Sequence, residues 1–475
     1  MIRKLYEKNS EIKLVMAGNI FRMKIFMLAA FLLAAFILTS AVSSGDAAAI
    51  NRPEKELTLA ESIDLALEQN QGFKAAREEL KKQEATLSMA RAARRPELTL
   101  SSSYARFDDD FGAGGGLAEE LGFELNGGAE SRHTTDLNLQ QPLFTFGRIS
   151  GRIESSEAAL RAGEAGYAGE RQDLIHEVII LYHNLILSEE AVRVQKDYLR
   201  AIESHKEVVE ANLEAGLITR LDLYEVRVAL SEIEQKLIEA ESDLKLARSR
   251  FSSLLGLPAA VRPTAALKPG DRFENLEDEL LLLGEEDIID LSENFQLENL
   301  SHRLQASEAR TEAARAERYP TIGLSGNYSR EDDGFGFDES SWSAAVGLSL
   351  NLFDGGQRKA EIEQAVSEMR QLDHLRLDMD SRLQVEARRA LSALSDARAR
   401  QKLAREMRRE ATERVKLAEL RYSAGVGTGT DVLDARAEKS RALLTGSQTD
   451  FRRVEAAADM YRVLGRIDKI YEEVR

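Results

Sequence analysis

The sequence predicts a mostly α-helical protein with a small β part, built from two homologous halves. Three observations carry that prediction. The chain repeats itself at a fixed offset, its seven prolines leave two long gaps, and short segments between the helical stretches alternate apolar and polar residues.

Leu143-Phe144 matches Leu352-Phe353 at an offset of 209 residues. Gly147, Gly216, Asp222 and Gly256 match Gly356, Gly425, Asp431 and Gly465 at the same offset. Upstream, Asn70, Ala85 and Pro96 match Asn294, Ala309 and Pro320 at an offset of 224, which places 15 extra residues in the first copy between Pro96 and Leu143. Each copy is about 200 residues, far longer than a solenoid repeat, so the reading is two large halves. They span residues 50–257 and 287–466, with a linker over 258–286 and a tail over 467–475.

Residues 1–49 read as a secretory signal and leader. Arg22 and Lys24 precede an apolar run from Ile25 to Leu38, and small residues follow to Ala47-Ala48-Ala49. The run is too short for a membrane helix of roughly 20 residues; an uncleaved anchor is the alternative. The segment carries six basic and three acidic residues, so its removal moves the net charge from −17 to −20. An exported chain this acidic is a poor nucleic-acid binder. The absence of cysteine excludes disulfides, thiolate metal sites and a lipid anchor on Cys.

Each half opens with a helix and then a strand pair, over about 98–107 and 135–146 in the first half and about 321–329 and 343–353 in the second. Leu98-Thr99-Leu100-Ser101 and Leu137-Asn138-Leu139-Gln140 alternate with period two, as do Ile322, Leu324, Gly326, Tyr328 and Val346, Leu348, Leu350, Leu352. The lengths suit tilted transmembrane strands of about 9–11 residues. Tyr104, Phe107, Tyr328 and Trp342 lie toward the connecting loops, and Phe144, Phe146 and Phe353 toward the helices, as two aromatic girdles would. A water-soluble antiparallel sheet is the alternative. Four strands close no barrel, since the smallest have about eight, so membrane strands here require several chains to share one. The loops carry acidic triplets at Asp108-Asp109-Asp110 and Glu331-Asp332-Asp333, read as solvated surface or as carboxylates that bridge to lipid through divalent cations.

No proline lies between Pro142 and Pro258 or after Pro320. Proline inside a helix costs about 3 kcal/mol, so these gaps admit very long helices. Arg148–Ala215 and Gln357–Ala424 are candidates, each on the order of 100 Å if fully helical. Val178, Leu185, Val192 and Leu199 form a seven-residue seam that wants a partner helix. Gly216 and Gly425 then break the chain, and helices return from Asp222 and Asp431. Each half therefore ends in a helical hairpin, with tips near 216–221 and 425–430.

The chemistry-bearing residues sit at those tips. Asp431 and Asp434 share a helix face. A carboxylate at Asp431 also suits a helix cap, and Asp222 and Glu225 hold the matching positions in the first half. His176-Glu177 with His183 lacks zinc-protease spacing, and no Walker motif or nucleophile elbow occurs, so neither cofactor, metal nor catalysis is expected.

Three sets of residues resemble the TolC family of outer-membrane efflux proteins. They are Leu57-Thr58-Leu59-Ala60-Glu61-Ser62-Ile63 with Asn70, then Gln141-Pro142-Leu143-Phe144 with Leu352-Phe353-Asp354-Gly355-Gly356, and then Tyr422 to Asp434. The resemblance implies a homotrimer with a twelve-stranded barrel in the outer membrane and a long α-helical tunnel in the periplasm. It implies docking with a periplasmic adaptor and an inner-membrane transporter of RND, ABC or MFS type. The function expected is a passive exit duct for efflux or type I secretion; a soluble periplasmic coiled-coil scaffold or adaptor is the alternative.

By the same resemblance, Asp431 and Asp434, with Asp222, stand at the periplasmic aperture, where carboxylate rings favour cations. Tyr422 and Asp222 occupy positions that touch in better-known members and hold the tunnel closed. A basic residue that assists this latch in some members is replaced here by Gly427. Gly216, Leu217 and Thr219, and Gly425, Val426 and Thr428, are the expected adaptor-docking tips. The halves differ most where Leu217-Ile218-Thr219-Arg220 stands against Val426-Gly427-Thr428-Gly429.

Overall fold

Helix propensity without proline, and strand alternation bounded by turns, produce the elements in chain order. The computed structural model describes residues 55–106, 131–257, 261–263, 271–282, 288–332 and 339–475. The signal segment, Phe107 and the triplet Asp108-Asp109-Asp110 lie outside them, as does Asp333.

Strand β1 (Lys55–Leu57) leads into α1 (Leu59–Gln69) and α2 (Gln71–Ala92). Strands β2 (Glu97–Arg106) and β3 (Ser131–Phe144) follow, then the hairpin of α3 (Arg148–Glu214) and α4 (Arg220–Leu254). After β4 (Val261–Pro263) and α5 (Asp271–Leu282), the order repeats. Helix α6 (Phe295–Ala316) precedes β5 (Thr321–Asp332) and β6 (Glu339–Ser349), then α7 (Gln357–Ser423) and α8 (Gly429–Val463). Helix α9 (Asp468–Val474) closes the chain. The long helices α3 and α7 have 67 residues each, and α4 and α8 have 35 each.

Strands β2, β3, β5 and β6 form one antiparallel sheet in that order. The register puts Leu98 opposite Leu139 and Leu100 opposite Leu137, with Leu137 opposite Tyr328 and Tyr328 opposite Trp342. Leu324 opposite Val346 and Ile322 opposite Leu348 extend the same face. Because side chains alternate, the other face carries Thr99, Ser101, Asn138, Asn327 and Ser343. The Asn327 amide donates to Asn138 Oδ1 at 2.9 Å on that polar face. The apolar face is open: Leu98 is 63% exposed, Leu100 70% and Trp342 78%. A bulge between Pro142 and Phe144 shifts the β3–β5 register before its last pair, Phe144 opposite Ile322, where Pro142 has no N–H to give. Beyond it Phe146 takes a left-handed φ of 51° and its ring meets Phe144 and Tyr319.

Helix α3 packs against α2 and α6 near the sheet, and against α4 and α8 farther away. Helix α7 packs likewise against α6 and α8. Thus α2 is stacked on α4, and α6 on α8. Gly256 (φ 68°) and Gly465 (φ 75°) turn the chain at these two stacking points; a Cβ at Gly465 would lie 2.0 Å from the Glu293 carbonyl, and one at Gly256 would sit tightly at 3.2 Å from that of Gln69.

The principal core lies at mid-height. Ile175, Val178, Ile179 and Leu185 of α3 are fully buried with Ile63, Phe251, Leu394, Met460 and Ile467. Each such burial contributes about 1.5–3 kcal/mol. Residues 467–475, expected as a tail, form α9, because Ile467 and Ile470 bury completely in this core. Strand β4 pairs in parallel with β1. Helix α5 of the linker docks on α7 and α8 through a buried ion pair: Arg453 Nε and Nη2 each donate to Glu277 at 2.6 Å. Arg453 Nη1 donates to Gln401 at 2.8 Å, and Arg398 donates to Asp278 at 2.6 Å.

Candidate functional site: the hairpin tips

Both tips are built by one local device. Gly216 and Gly425 hold φ of 72° and 70°. The Leu217 N–H donates to Asn212 O at 2.9 Å and the Gly216 N–H to Leu213 O at 3.0 Å; Val426 and Gly425 repeat this on Arg421 and Tyr422, both at 3.0 Å. This crossed pair satisfies the last carbonyls of each long helix and needs a residue free to adopt positive φ. It leaves Leu217 and Val426 at the apex, 73% and 68% exposed.

Thr219 and Thr428 then start the return helices. The Thr219 N–H and Oγ1–H donate to Asp222 Oδ2 at 2.8 and 2.7 Å. The Thr428 N–H donates to Asp431 Oδ2 at 2.9 Å, and the Asp431 N–H donates back to Thr428 Oγ1 at 3.2 Å. Hydrogen bonds from Thr219, side chain first, hold the Asp222 carboxyl below the usual carboxylate range. The Thr428 backbone and side chain do the same for Asp431. Both carboxylates are therefore anionic at neutral pH and also cap their helices. Asp434, one turn farther on, is exposed on the chain.

Tyr422 and Asp222 do not meet within one chain. The Tyr422 hydroxyl accepts from Asn212 Nδ2 at 3.2 Å instead. The reason is local: Asp222 sits at the third position of α4, and its carboxylate is drawn back onto Thr219. Gly427 is also tightly packed: a Cβ there would lie 3.0 Å from Arg421 Cβ and 3.1 Å from Tyr422 N, so a side chain at this position would need the end of α7 to give by a few tenths of an ångström.

Contacts between the two hairpins near the tips were not legible as single motifs. Thr430 Oγ1 donates to Glu225 Oε2 at 2.7 Å. Arg436 donates to Glu419 at 2.8 Å on α7 and to the Ala201 carbonyl on α3, so one guanidinium bridges three helices. The buried His205 ring meets Tyr422 edge-to-face at 5.2 Å. Burial, with Arg436 nearby, pushes this imidazole down. The duplication held a signal for Arg436: at the offset of 209, the pair Arg436–Glu419 corresponds to Arg227–Glu210, which also approach, at 3.9 Å. Among the described residues no cluster of His, Asp and Glu could hold a metal ion, and no helix is long and apolar enough to cross a membrane.

Comparison with known proteins places this geometry. The sequence model of the family described as outer membrane efflux protein matches residues 62–257 and 290–466. The chain is 26% identical to outer membrane protein OprJ of Pseudomonas aeruginosa over 413 residues, covering 85% of this chain and 83% of the relative. It is 24% identical to the alkaline protease secretion protein AprF of the same organism over 424 residues, covering 87% and 85%. Its fold matches the Campylobacter jejuni CmeC outer membrane channel with a TM-score of 0.73 at 17% identity, covering 91% of this chain and 94% of that one. An apolar-faced sheet joined to two long helical hairpins is the architecture of those channels, and the chain belongs to the outer membrane efflux protein family as an outer-membrane channel protein.

Proposed function

We propose that three copies of this chain form one exit duct, with a shared twelve-stranded barrel in the outer membrane and a tunnel of helical hairpins in the periplasm. The observation that carries this is the sheet with an exposed apolar face, a polar face and two free edges, β2 and β6. An unpaired backbone group in hydrocarbon costs several kcal/mol, so both edges must pair with further strands. Other copies of the chain supply them, β6 of one joining β2 of the next.

The helices support the same closure. Within the chain the lateral helices of the tip half are α4 and α7. Leu221, Tyr224 and Val228 stand exposed at helical spacing on α4, and Leu403, Met407, Leu417 and Leu420 stand exposed on α7. Apposed in neighbouring copies, these residues form the seams between subunits.

In this reading the duct is passive. A periplasmic adaptor docks on the tips through Gly216, Leu217, Thr219, Gly425, Val426 and Thr428, and an inner-membrane transporter delivers the cargo. Asp431, Asp434 and Asp222 line the closed end, where three copies concentrate negative charge and favour cations. Tyr422, held on Asn212, keeps the second hairpin against the first. The test uses the chain's lack of cysteine. Leu217→Cys and Val426→Cys variants, crosslinked in cells, should trap an adaptor and a pump. The purified protein should run as a trimer and conduct ions in a bilayer. Recovery of no inner-membrane partner overturns the exit-duct reading, and a monomer without conductance overturns the shared barrel.

A further inference from the structure

The two hairpins are homologous, yet among the described residues only one has its groove filled at mid-height. On the second hairpin, α5 covers Arg453, Gln401 and Arg398, pairing Glu277 with Arg453 and Asp278 with Arg398. At the offset of 209 these three residues correspond to Leu244, Val192 and Glu189. All three line a cleft of about 1090 Å³ between α3 and α4, which no described segment fills.

The floor of that cleft is apolar: Val192 is buried, and Leu244 and Leu257 are half-buried. Its rim is basic. Five cationic side chains line it against the three acidic ones Glu189, Asp197 and Glu241, in a protein whose net charge is −17. Lys196 and Arg248 are shared with Glu241 and Glu189 at 2.8 and 2.9 Å. Arg193 and Arg200 pair along their own helix. Lys245 is exposed and has no carboxylate partner among the described residues. The Ser252 hydroxyl, in a residue 7% exposed, lines the same cleft without a hydrogen-bond partner.

We propose that this cleft docks an acidic amphipathic helix of a partner protein, which lies on the first hairpin as α5 lies on the second. The occupant differs from α5 in one respect. Where α5 sets a carboxylate on Arg453, this helix sets an aliphatic side chain on Leu244 and Val192. Its carboxylates flank that residue and meet Lys196, Lys245 and Arg248 on the rim.

The test is a specificity swap on the full-length purified channel. The probes are two stapled helical peptides, one with the sequence of Asp271–Leu282 and one carrying Glu277→Leu. The wild-type channel should bind the Leu peptide about tenfold or more tighter than the native sequence, since a Leu is buried favourably on an apolar floor where a carboxylate is desolvated without a partner. The channel variant Val192→Gln with Leu244→Arg copies the floor of the second hairpin and should reverse the preference. The exposed change Lys245→Glu, which leaves the floor intact, should weaken both peptides several-fold. Failure of the Leu peptide to bind the wild-type channel, as when a second copy covers the cleft, overturns the proposal. So does a preference that survives the swap in a folded variant, or binding that Lys245→Glu leaves unchanged. Retention on peptidoglycan in place of the peptides assigns the basic rim to a polymer and overturns it equally.

Discussion

The Asn294 amide donates to the Val463 carbonyl at 2.7 Å, while its own oxygen accepts from the N–H groups of Gln296 and Leu297. One side chain thus caps the start of α6 and the end of α8, and joins the two stacked helices. Asn70 does the same for α2 and α4, donating to Leu254 and accepting from Phe73, both at 3.0 Å. Asn294 is buried and Asn70 only half-buried. Asn294→Ala should therefore cost about 2–3 kcal/mol, through a lost cap and an unsatisfied carbonyl, and Asn70→Ala less. Denaturant midpoints in detergent measure both, and equal losses would contradict the burial argument.

Arg453 and Glu277 are 1% and 0% exposed, so each neutralises the other out of reach of water. Removing one strands a buried charge. Arg453→Leu alone should destabilise by about 3–5 kcal/mol, and the double change with Glu277→Leu should recover most of that. The first half already carries Leu244 at the position of Arg453. A double variant no more stable than the single one would show that the surrounding Arg398 and Gln401 cannot repack.

The His183 imidazole is buried in α3 and its Nδ1–H donates to Ile179 O at 2.8 Å. Burial pushes it down to about 4 from the ordinary 6.5. The unfolded chain therefore binds a proton that the folded chain refuses between those values, and stability falls as pH drops from 6.5 toward 4. The loss should reach up to about 3 kcal/mol at 1.36 kcal/mol per pH unit. His183→Leu should flatten the stability profile in this window. A slope as steep as that of the parent protein would assign the acid sensitivity to other groups.

The tip caps titrate lower. Asp222 and Asp431 are held below the ordinary 3.8, so their contribution is complete above that value and is lost as pH falls further. Amide protection at the start of α4 and α8, taken relative to the intrinsic exchange rate at each pH, should therefore be kept through the ordinary carboxylate range and fall only at lower pH, where these carboxylates protonate. Thr428→Ala should produce the faster exchange in α8 already at pH 7. Unchanged exchange in that variant would mean that the cap hydrogen bonds contribute nothing to tip order.

In the proposed trimer, Asp431→Ala with Asp434→Ala should lower the cation selectivity of the open pore in bilayer recordings, because that assembly brings the exposed carboxylates of three copies to the closed end. Tyr422→Phe removes the hydroxyl that Asn212 holds and should raise the open probability without changing ion selectivity. If selectivity is unaltered by the Asp changes, the two residues serve only the helix start.

Much of this site was legible because backbone chemistry is local. A glycine at positive φ, a Thr three residues before an Asp, and two 67-residue helices follow from proline gaps and turn residues alone. The partner of Tyr422 was not legible. Both Asn212 and Asp222 lie near the first tip, and only the geometry of the cap shows that Thr219 takes the carboxylate.

By itself, then, the sequence determined the duplication, the two tips and the strand alternation. Those features depend on period, chain stiffness and hydrogen-bond accounting within a few neighbouring residues. Tertiary structure alone decided that α5 lies on the second hairpin and that no described segment fills the matching cleft of the first one. It also decided that Asn294 and Asn70 each join two helices, and that Arg436 bridges three. These are choices between nearly equal partners far apart in the chain, and packing settles them by how completely each charge or amide is satisfied once water is gone.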